Sequence, residues 1–354
     1  KNSDYEKVNR NINLLRNNLK PILKKKFNLD HTPSSAWVKL YEIMSMIPSL
    51  IPRNSNINTL SLAEAPGHFM KSIETFIRQR DIKFKTKTNY TWYANSLNPY
   101  SQIVLKRYPD FLIGDTFGLI RNYPKRWLWG KDNTGDIMNP DNIRHMKKFI
   151  TDNNIKLDLV TSDAGLAGDN LFDLQKLEYA QAIGTIYLCS PNKHVVIKHF
   201  APIIFEIKDS IDSTGYFVSL MYLYALCFEK IYFTKPNSSN KKSGEFYLVG
   251  YKKKDVSYKL LDHYLDRLDK FEINQPLFYK KDIPEVFYQQ VYQFLEKHIG
   301  SNNKFVSNQV YILNCLKLKD KPELYKRGSC DNFTDDKFKN MIDYKVKEWL
   351  KVYT

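Results

Sequence analysis

Short apolar runs alternate with helix-like patterns between Trp37 and Tyr251. Six runs are rich in β-branched and aromatic residues and are bounded by polar turns, so we predict that they form β-strands. The six are NTLSLAEA, YTWYANSL, LDLVTSD, HVVIKHF, KIYFTKP and EFYLVGY. Strands that alternate with helices favour an α/β fold with a mostly parallel sheet flanked by helices. The last run directly follows the turn KPNSSNKKSG, which predicts an antiparallel hairpin.

Helical patterns flank this central part on both sides. In the N-terminal segment, apolar residues at helical spacing predict an amphipathic helix that Pro21 kinks or divides. Its apolar positions are Val8, Ile12, Leu15, Leu19 and Leu23. After Lys252 only helix patterns remain; the last has Thr334 as N-cap and an apolar face formed by Phe338, Met341, Ile342, Trp349 and Leu350. We therefore predict an N-terminal helical segment (1–30), a central domain (31–251) and a C-terminal helical extension (252–354).

Composition narrows the class of protein. The 354 residues are 43% hydrophobic, which is enough for a sizeable core. The net charge of +16 favours an anionic partner such as nucleic acid or an acidic membrane surface, although a basic protein kept soluble by lysine is a fair alternative. The longest apolar stretch, from Tyr216 to Phe228, is shorter than the roughly 20 residues of a spanning helix, so we expect a soluble intracellular protein without a membrane partner.

The four cysteines are Cys189, Cys227, Cys315 and Cys330. They are scattered and form no C-x-x-C pair, so the sequence predicts neither a zinc site nor a disulfide framework. We expect reduced, mostly buried thiols and no bound metal.

The stretch SLAEAPGHFM, residues 61–70, joins a predicted strand to a predicted helix through a tight bend. It has one glycine, Gly67, and so does not match the G-x-G-x-x-G pattern of dinucleotide sites. A bend before a helix offers free N–H groups and a positive dipole end, which can hold a phosphate or the carboxylate of an amino-acid-like ligand. Ala63 and Ala65 leave room for a ligand, and S-adenosylmethionine fits such a place. The alternative is an ordinary strand–helix turn.

Four charged residues stand where the predicted strands end. They are Lys39 in SSAWVKLYEI, Asp163 in DLVTSDAG, Lys198 in HVVIKHF and Glu245 in SGEFYLV. Ligands of open α/β sheets bind at the carboxyl ends of the strands, so we predict that these side chains converge in one site. Taken singly, each lysine is equally well a surface side chain whose stem lies along apolar residues.

These four charged residues and the bend make segment 31–251 similar to the FtsJ-like ribose 2'-O-methyltransferases. Within that family, the segment most closely resembles the cap-specific mRNA 2'-O-methyltransferases. The Lys-Asp-Lys-Glu set occurs in the order of that family. The segments GDIMNPDNIRHMKKFI, SDAGLAGDN and FTKPNSSNKKSGEFYLVG are similar to family motifs, the last to a Lys-Pro-x-Ser-Ser…Ser-x-Glu-x-Tyr pattern. The resemblance implies a Rossmann-like, S-adenosylmethionine-dependent methyltransferase fold.

The resemblance also implies roles for individual residues. Lys39, Asp163, Lys198 and Glu245 would be catalytic, with Lys198 facing the ribose hydroxyl and the acids positioning the lysines. The cofactor would contact Ala63, Glu64, Ala65, Pro66, Gly67, His68 and Phe69 on its methionine side, Asp136 and Ile137 on its adenosine side, and Asp163. His68 replaces a glycine usual in the family, and the second strand lacks the usual ribose-binding acid, for which Asn95 or Asn98 is expected to substitute.

RNA contacts are expected in two places. The family pattern implies that Lys235, Ser238, Ser239 and Ser243 lie along the RNA backbone. The segment RNYPKRWLWGK, which includes Arg126, mixes basic and aromatic residues, a combination that grips single-stranded RNA through phosphate contacts and base stacking. Its alternative is buried aromatic residues on a strand with solvated charges between them.

The resulting prediction is an S-adenosylmethionine-dependent RNA 2'-O-methyltransferase that acts on the first transcribed nucleotide of capped mRNA. An enzyme acting on ribosomal or transfer RNA, and a non-catalytic RNA-binding subunit of a capping complex, are the alternatives. RNA is the expected partner, with capping-complex proteins as further candidates and no DNA. The abundance of Lys, Asn, Ile and Tyr suits an AT-rich virus that replicates in the cytoplasm; a nuclear location is the alternative.

Overall fold

The computed structural model describes residues 14–108, 114–165, 170–202, 211–240, 243–300 and 335–354. The strands are β1 Asn56–Leu62, β2 Asn89–Ala94, β3 Leu159–Ser162, β4 His194–Phe200, β5 Phe228–Thr234 and β6 Glu245–Lys253. The helices are α1 Leu14–Lys26, α2 Ser35–Met46, α3 His68–Phe84, α4 Gln102–Arg107, α5 Leu119–Asn122, α6 Pro140–Asp152, α7 Leu171–Leu188, α8 Ile211–Cys227, α9 Tyr258–Asp266, α10 at residues 285–300 and α11 Asp335–Tyr353. Short 3-10 turns occur at Pro48–Leu50, Pro124–Arg126 and Lys280–Asp282.

The six strands form one sheet in the order β2-β1-β3-β4-β6-β5. The first four pair in parallel, whereas β6 is antiparallel to both β4 and β5. The carboxyl ends of β1, β3 and β4 and the amino end of β6 therefore share one edge. The chain leaves β1 towards β2 on one side and returns to β3 on the other, so this edge contains the switch point at which open α/β sheets bind ligands.

Helices cover both faces of the sheet. On one face α2 and α3 pack on a cluster that includes Ile57, Val196 and Val249. On the other face α6, α7 and α8 bury a larger cluster, which α9 and α10 extend. Alternate residues of a strand point to opposite faces, which explains why adjacent residues such as Val195 and Val196 belong to different clusters.

The two terminal helices pack together on α2. Leu19 and Leu23 of α1 and Ile342, Val346 and Trp349 of α11 are buried in one cluster. Pro21 does not divide α1, which runs without a break from Leu14 to Lys26, and its side chain is exposed between the two buried leucines. The prediction for Met341 was wrong, since its side chain is 42% exposed. The predicted positions Val8, Ile12, Thr334 and Phe338 lie outside the residues whose side chains are described.

The predicted fold class is confirmed, and each of the six predicted strands is present. The predicted hairpin is also present, since β5 and β6 pair antiparallel. Cys189 and Cys227 are free and buried, whereas Cys315 and Cys330 lie outside the described residues. Within the described ranges, no helix has the length and apolar character needed to cross a membrane. The domain boundaries stay a prediction.

Candidate active site

The bend after β1 is held by its own backbone and by one buried acid. Gly67 caps α3 with φ +118, a backbone conformation that favours glycine, and a Cβ there would displace Leu119 Cδ1, which would lie 2.4 Å away. Glu64 Oε1 accepts a hydrogen bond from Phe69 N at 2.6 Å. Burial raises the pKa of Glu64 well above its ordinary value. Glu64 therefore stabilises the bend through its bond to Phe69 N.

A cavity of about 280 Å³ opens at this edge of the sheet, between the ends of β1, β2 and β3. This volume is slightly below the roughly 300–1,000 Å³ usual for ligand pockets. Seven of the predicted cofactor residues line it: Ala63, Ala65, Pro66, Asn95, Asp136, Ile137 and Asp163. Glu64, Gly67, His68 and Phe69 do not line it.

His68 lies against Phe117, with ring centroids 5.1 Å apart. Burial, with a smaller effect of His31, lowers the pKa of His68 to about 4, so the imidazole is neutral near pH 7. His68, which stands where the family usually has a second glycine, therefore adds no charge near the cavity.

Asn95 offers the cavity a polar acceptor. Its Nδ2 donates to Leu128 O at 2.9 Å and to Gly135 O at 3.1 Å, which fixes the orientation of the amide. Its Oδ1 is buried and has no hydrogen-bond partner among the described residues. Contact of Asn95 with the ribose of S-adenosylmethionine stays a prediction. Asn98 instead donates to Asn133 O at 2.8 Å within its own turn and does not line the cavity.

Asp136 forms the opposite wall. Its Oδ1 accepts from Met138 N at 2.8 Å, and its Oδ2 pairs with Arg107 Nη1 at 3.1 Å. Burial nevertheless raises the pKa of Asp136 above the ordinary value. Contact of Asp136 with the adenosine side of the cofactor stays a prediction.

The four predicted catalytic residues converge as two ion pairs. Lys39 Nζ lies 2.7 Å from Glu245 Oε1, and Lys198 Nζ lies 3.1 Å from Asp163 Oδ1. Lys198 also donates to the backbone oxygen of Asp163 at 2.9 Å. Asp163 lines the cavity as well, so the ion pairs adjoin the predicted cofactor site.

One detail of the sequence prediction was wrong: Lys39 lies in the middle of α2, not at the end of a strand. Nearly every side chain of α2 from Trp37 to Met44 is buried, because the helix is enclosed by the sheet on one side and by α1 and α11 on the other. A helix without a polar face lacks the amphipathic period that identifies a surface helix.

Tyr247 joins the two ion pairs. It pairs with Lys198 across β4 and β6, and its hydroxyl donates to Asp163 Oδ1 at 3.1 Å. Lys39 Nζ lies 5.6 Å from the centre of its ring. Burial alone would raise the pKa of Glu245, but the charge and hydrogen bond of Lys39 outweigh burial, and the net pKa is lowered. Glu245 is therefore ionised and holds Lys39 in place.

The predicted RNA-binding serines lie in the turn before β6 and hold it in place. Ser239 Oγ donates to Glu245 Oε1 at 2.8 Å, and Ser243 Oγ accepts from Glu245 N at 3.1 Å. Ser238 Oγ donates to Glu42 at 2.8 Å, and Lys235 Nζ donates to the backbone oxygen of Ser243. The turn thus lies beside the ion pairs, and contact with RNA stays a prediction for all four residues.

Arg126 lies elsewhere, in a groove between α3 and β2. Its guanidinium is 5.2 Å from the ring centre of Trp92 and 5.1 Å from that of Tyr123. Trp127 is buried, and its Nε1 donates to Leu119 O at 3.1 Å. The segment is therefore a mixture: Trp127 is a core residue as in the alternative interpretation, whereas Arg126 and Tyr123 form a stacked surface.

Sequence reasoning missed several residues of this site. Tyr247 was detectable, since it is two residues after Glu245 and so points to the same face of β6. Arg16 and Lys20, one turn apart on α1, gave no signal. The charge of Glu245 acts on Arg16 and that of Arg16 on Lys20, so they lie near the ion pairs, and burial is the main reason that both pKa values are lowered. Arg16 Nε is buried without a hydrogen-bond partner in the described part of the chain.

Comparisons with known proteins find several relatives of this chain. An uncharacterized protein of Acanthamoeba polyphaga mimivirus is 28% identical over 338 residues, covering 92% of this chain and 39% of the relative. A protein of Danio rerio named cap-specific mRNA (nucleoside-2'-O-)-methyltransferase 2 is 29% identical over 224 residues, covering 61% of this chain and 28% of the relative. A probable methyltransferase of African swine fever virus is 25% identical over 234 residues, covering 61% and 48%.

This chain spans less than half the length of these relatives. The sequence profile of the FtsJ-like methyltransferases, enzymes whose methyl donor is S-adenosylmethionine, matches residues 33–253. That range contains the bend, the cavity wall and both ion pairs. The chain belongs to the FtsJ-like methyltransferase family.

Proposed function

We propose that this protein is an RNA ribose 2'-O-methyltransferase that acts on the first transcribed nucleotide of capped mRNA. The observation that carries the proposal is the double role of Asp163, which lines the cavity and also holds the amine of Lys198 at 3.1 Å. Asp163 therefore links the proposed donor cavity to the amine of Lys198. The site thus joins a donor pocket to a cationic centre suited to a hydroxyl acceptor.

The chain's own residues would align the acceptor and take its proton. When bound, S-adenosylmethionine supplies a methyl group carried by a sulfonium. The ribose 2'-oxygen forms a bond to that methyl carbon, the carbon–sulfur bond breaks, and its electron pair stays on sulfur. Lys198, once its ammonium group has released a proton to solvent, accepts the hydroxyl proton, while Lys39, held by Glu245, stabilises the developing negative charge on the oxygen. The gain comes mainly from the alignment of the reacting atoms.

Two observations support capped mRNA as the substrate. The Danio rerio relative is named as a cap-specific mRNA methyltransferase. The net charge of +16 favours a polyanion, and counterion release would make binding sensitive to salt. Two of the relatives are viral, which supports our proposal of a viral enzyme that acts in the cytoplasm of the infected cell, with the nucleus as the alternative.

Methyl transfer from labelled S-adenosylmethionine to short RNAs tests this function. A capped RNA, the same RNA without a cap, and a structured ribosomal or transfer RNA fragment are compared, and nuclease mapping locates the label. We expect the label on the 2'-oxygen of the first nucleotide of the capped RNA. Equal labelling of the uncapped RNA, or a preference for the structured fragment, would contradict cap specificity.

A Lys198→Ala variant tests the assigned proton acceptor. Turnover should be lost, because no other amine of the ion pairs faces the same carboxylate. Calorimetric titration with S-adenosylmethionine serves as the control, since Lys198 does not line the cavity. Substantial turnover with intact donor binding would remove the assignment. Failure of the wild-type protein to bind the donor would favour the remaining alternative, a non-catalytic RNA-binding subunit.

A further inference from the structure

The C-terminal helix α11 reaches the catalytic centre through one buried acid, Glu42. Glu42 lies on α2, three residues after Lys39, and its side chain has no exposed surface. Trp349 Nε1 of α11 donates to Glu42 Oε2 at 2.9 Å. Ser238 donates to the same oxygen through N at 3.1 Å and through Oγ at 2.8 Å, and Asn237 N donates to Oε1. One carboxyl group therefore joins α2, α11 and the turn before β6.

The turn before β6 also contacts the Lys39–Glu245 ion pair. Ser239 follows directly, and its Oγ donates to Glu245 Oε1 at 2.8 Å, the same oxygen that binds Lys39. A parallel link runs through Asn237, whose Nδ2 donates to the Tyr353 hydroxyl at 3.0 Å. Hydrogen bonds thus run from α11 to the Lys39–Glu245 pair, with the turn between them.

Apolar contacts with α1 and α2 hold α11 in the position from which it reaches these hydrogen bonds. Val346 and Trp349 are buried against Leu23 of α1 and Trp37 of α2. Ser45 Oγ also donates to the backbone oxygen of Tyr353 at 3.2 Å. A carboxyl group buried among apolar side chains is costly unless donors surround it, and α11 supplies one of those donors. Loss of Trp349 Nε1 would leave the carboxyl group of Glu42 incompletely satisfied and would loosen the turn.

We propose that α11 belongs to the catalytic apparatus, and that Trp349 and Glu42 are positioning residues that hold the turn and thereby the Lys39–Glu245 pair. The inference rests on the proposed function, since the pair is assigned to methyl transfer there. Catalytic groups must be held to within about 0.5 Å of their productive positions, so a looser turn lowers turnover without changing donor binding. The donor cavity is lined by none of these residues.

A Trp349→Phe variant tests this role, and the chain offers a matched control in Trp37→Phe. Both indoles are buried in the same cluster, and Trp37 stacks on Tyr41 at 5.0 Å. Trp37 Nε1, unlike that of Trp349, has no hydrogen-bond partner among the described residues. Both variants lose the same part of an indole ring, but only Trp349→Phe loses a bond to Glu42.

We expect turnover of Trp349→Phe to fall about tenfold, the effect of losing one buried hydrogen bond. The affinity for S-adenosylmethionine should not change, and the amides of Asn237 and Ser238 should exchange hydrogen faster. Trp37→Phe should match the wild type in all three measurements. A Glu42→Gln variant should reproduce the loss, because its amide group presents hydrogen atoms to donors.

Two results would overturn the inference. One is unchanged exchange of the turn amides in both Trp349→Phe and Glu42→Gln. The other is faster exchange with wild-type turnover, which would make α11 a support for the turn with no effect on catalysis. If the wild-type protein transfers no methyl group to RNA, the proposed function fails; the exchange measurement still decides whether α11 holds the turn.

Discussion

Replacing Gly135 by alanine is expected to destabilise the protein and to weaken binding of the methyl donor. Gly135 has φ +73, and a Cβ on it would lie 1.7 Å from the backbone oxygen of Ser96. Both residues line the donor cavity. Because the clashing atom belongs to the backbone, no change of side-chain rotamer relieves the contact, and two walls of the cavity must move apart.

The size of the effect follows from these two features. A side chain held at a positive φ costs about 1–3 kcal/mol. Forcing an extra methyl group into a packed site costs a further 1–3 kcal/mol or so. The sum, about 2–6 kcal/mol, is a large fraction of the roughly 5–15 kcal/mol that stabilises a typical protein.

Urea unfolding of the wild type, Gly135→Ala and a control variant, Gly215→Ala, measures this difference. Gly215 lies on α8, and a Cβ there would have no neighbour within 4 Å. Alanine is favoured over glycine in a helix, so the control should gain about 0.5–1 kcal/mol. Calorimetric titration should show at least about tenfold weaker donor binding by Gly135→Ala, equivalent to about 1.4 kcal/mol. Wild-type stability and donor affinity in this variant would refute the reasoning about the cavity wall.

Two further predictions concern the ion pairs. Arg16→Ala should raise the KM for RNA and reduce its dependence on salt by about one phosphate contact, a slope change of roughly 0.7 for a single strand, because Arg16 lies near Glu245 and forms no ion pair with an acid of the described residues. Lys25→Ala, an exposed charge on the same helix, is the control, and an equal effect of both would contradict a specific role. Glu245→Gln should flatten the acid side of the stability profile. The lowered pKa of Glu245 stabilises the fold above the ordinary glutamate pKa of about 4.3, and this contribution is lost as the pH falls through the folded-state value. Urea midpoints across that pH range measure it, and a variant profile parallel to the wild type would contradict the sign.

The sheet was predictable because its strands are short, apolar and bounded by polar turns. The convergence of Asp163, Lys198 and Glu245 was predictable for the same reason, since residues at the carboxyl ends of parallel strands share an edge. Glu245 reaches that edge from the amino end of β6, because β6 runs antiparallel to β4. The position of Lys39 in the helix was not predictable from periodicity, because α2 is buried on nearly all sides.

The connection through Glu42 was beyond the reach of sequence patterns. Its partners Ser238 and Trp349 are 196 and 307 residues away along the chain. Helix and strand periods report neighbours within a few turns, so they cannot pair one acid with distant donors. The same reason explains why Arg16 went unnoticed beside a residue as distant as Glu245. Local patterns fixed each element, whereas the contacts between elements required the folded chain.

The order of residues around the cavity has a consequence for how such proteins can change. Of the residues that the structure describes, those lining the proposed donor cavity all fall between Ala63 and Leu177. Apart from Arg16, Lys39, Arg126 and Asp163, the groups assigned to the acceptor come later, from Lys198 and Glu245 to the turn and α11. Substitutions in the later half of the chain can therefore redirect the enzyme to a different acceptor while the machinery that supplies the methyl group is inherited unaltered.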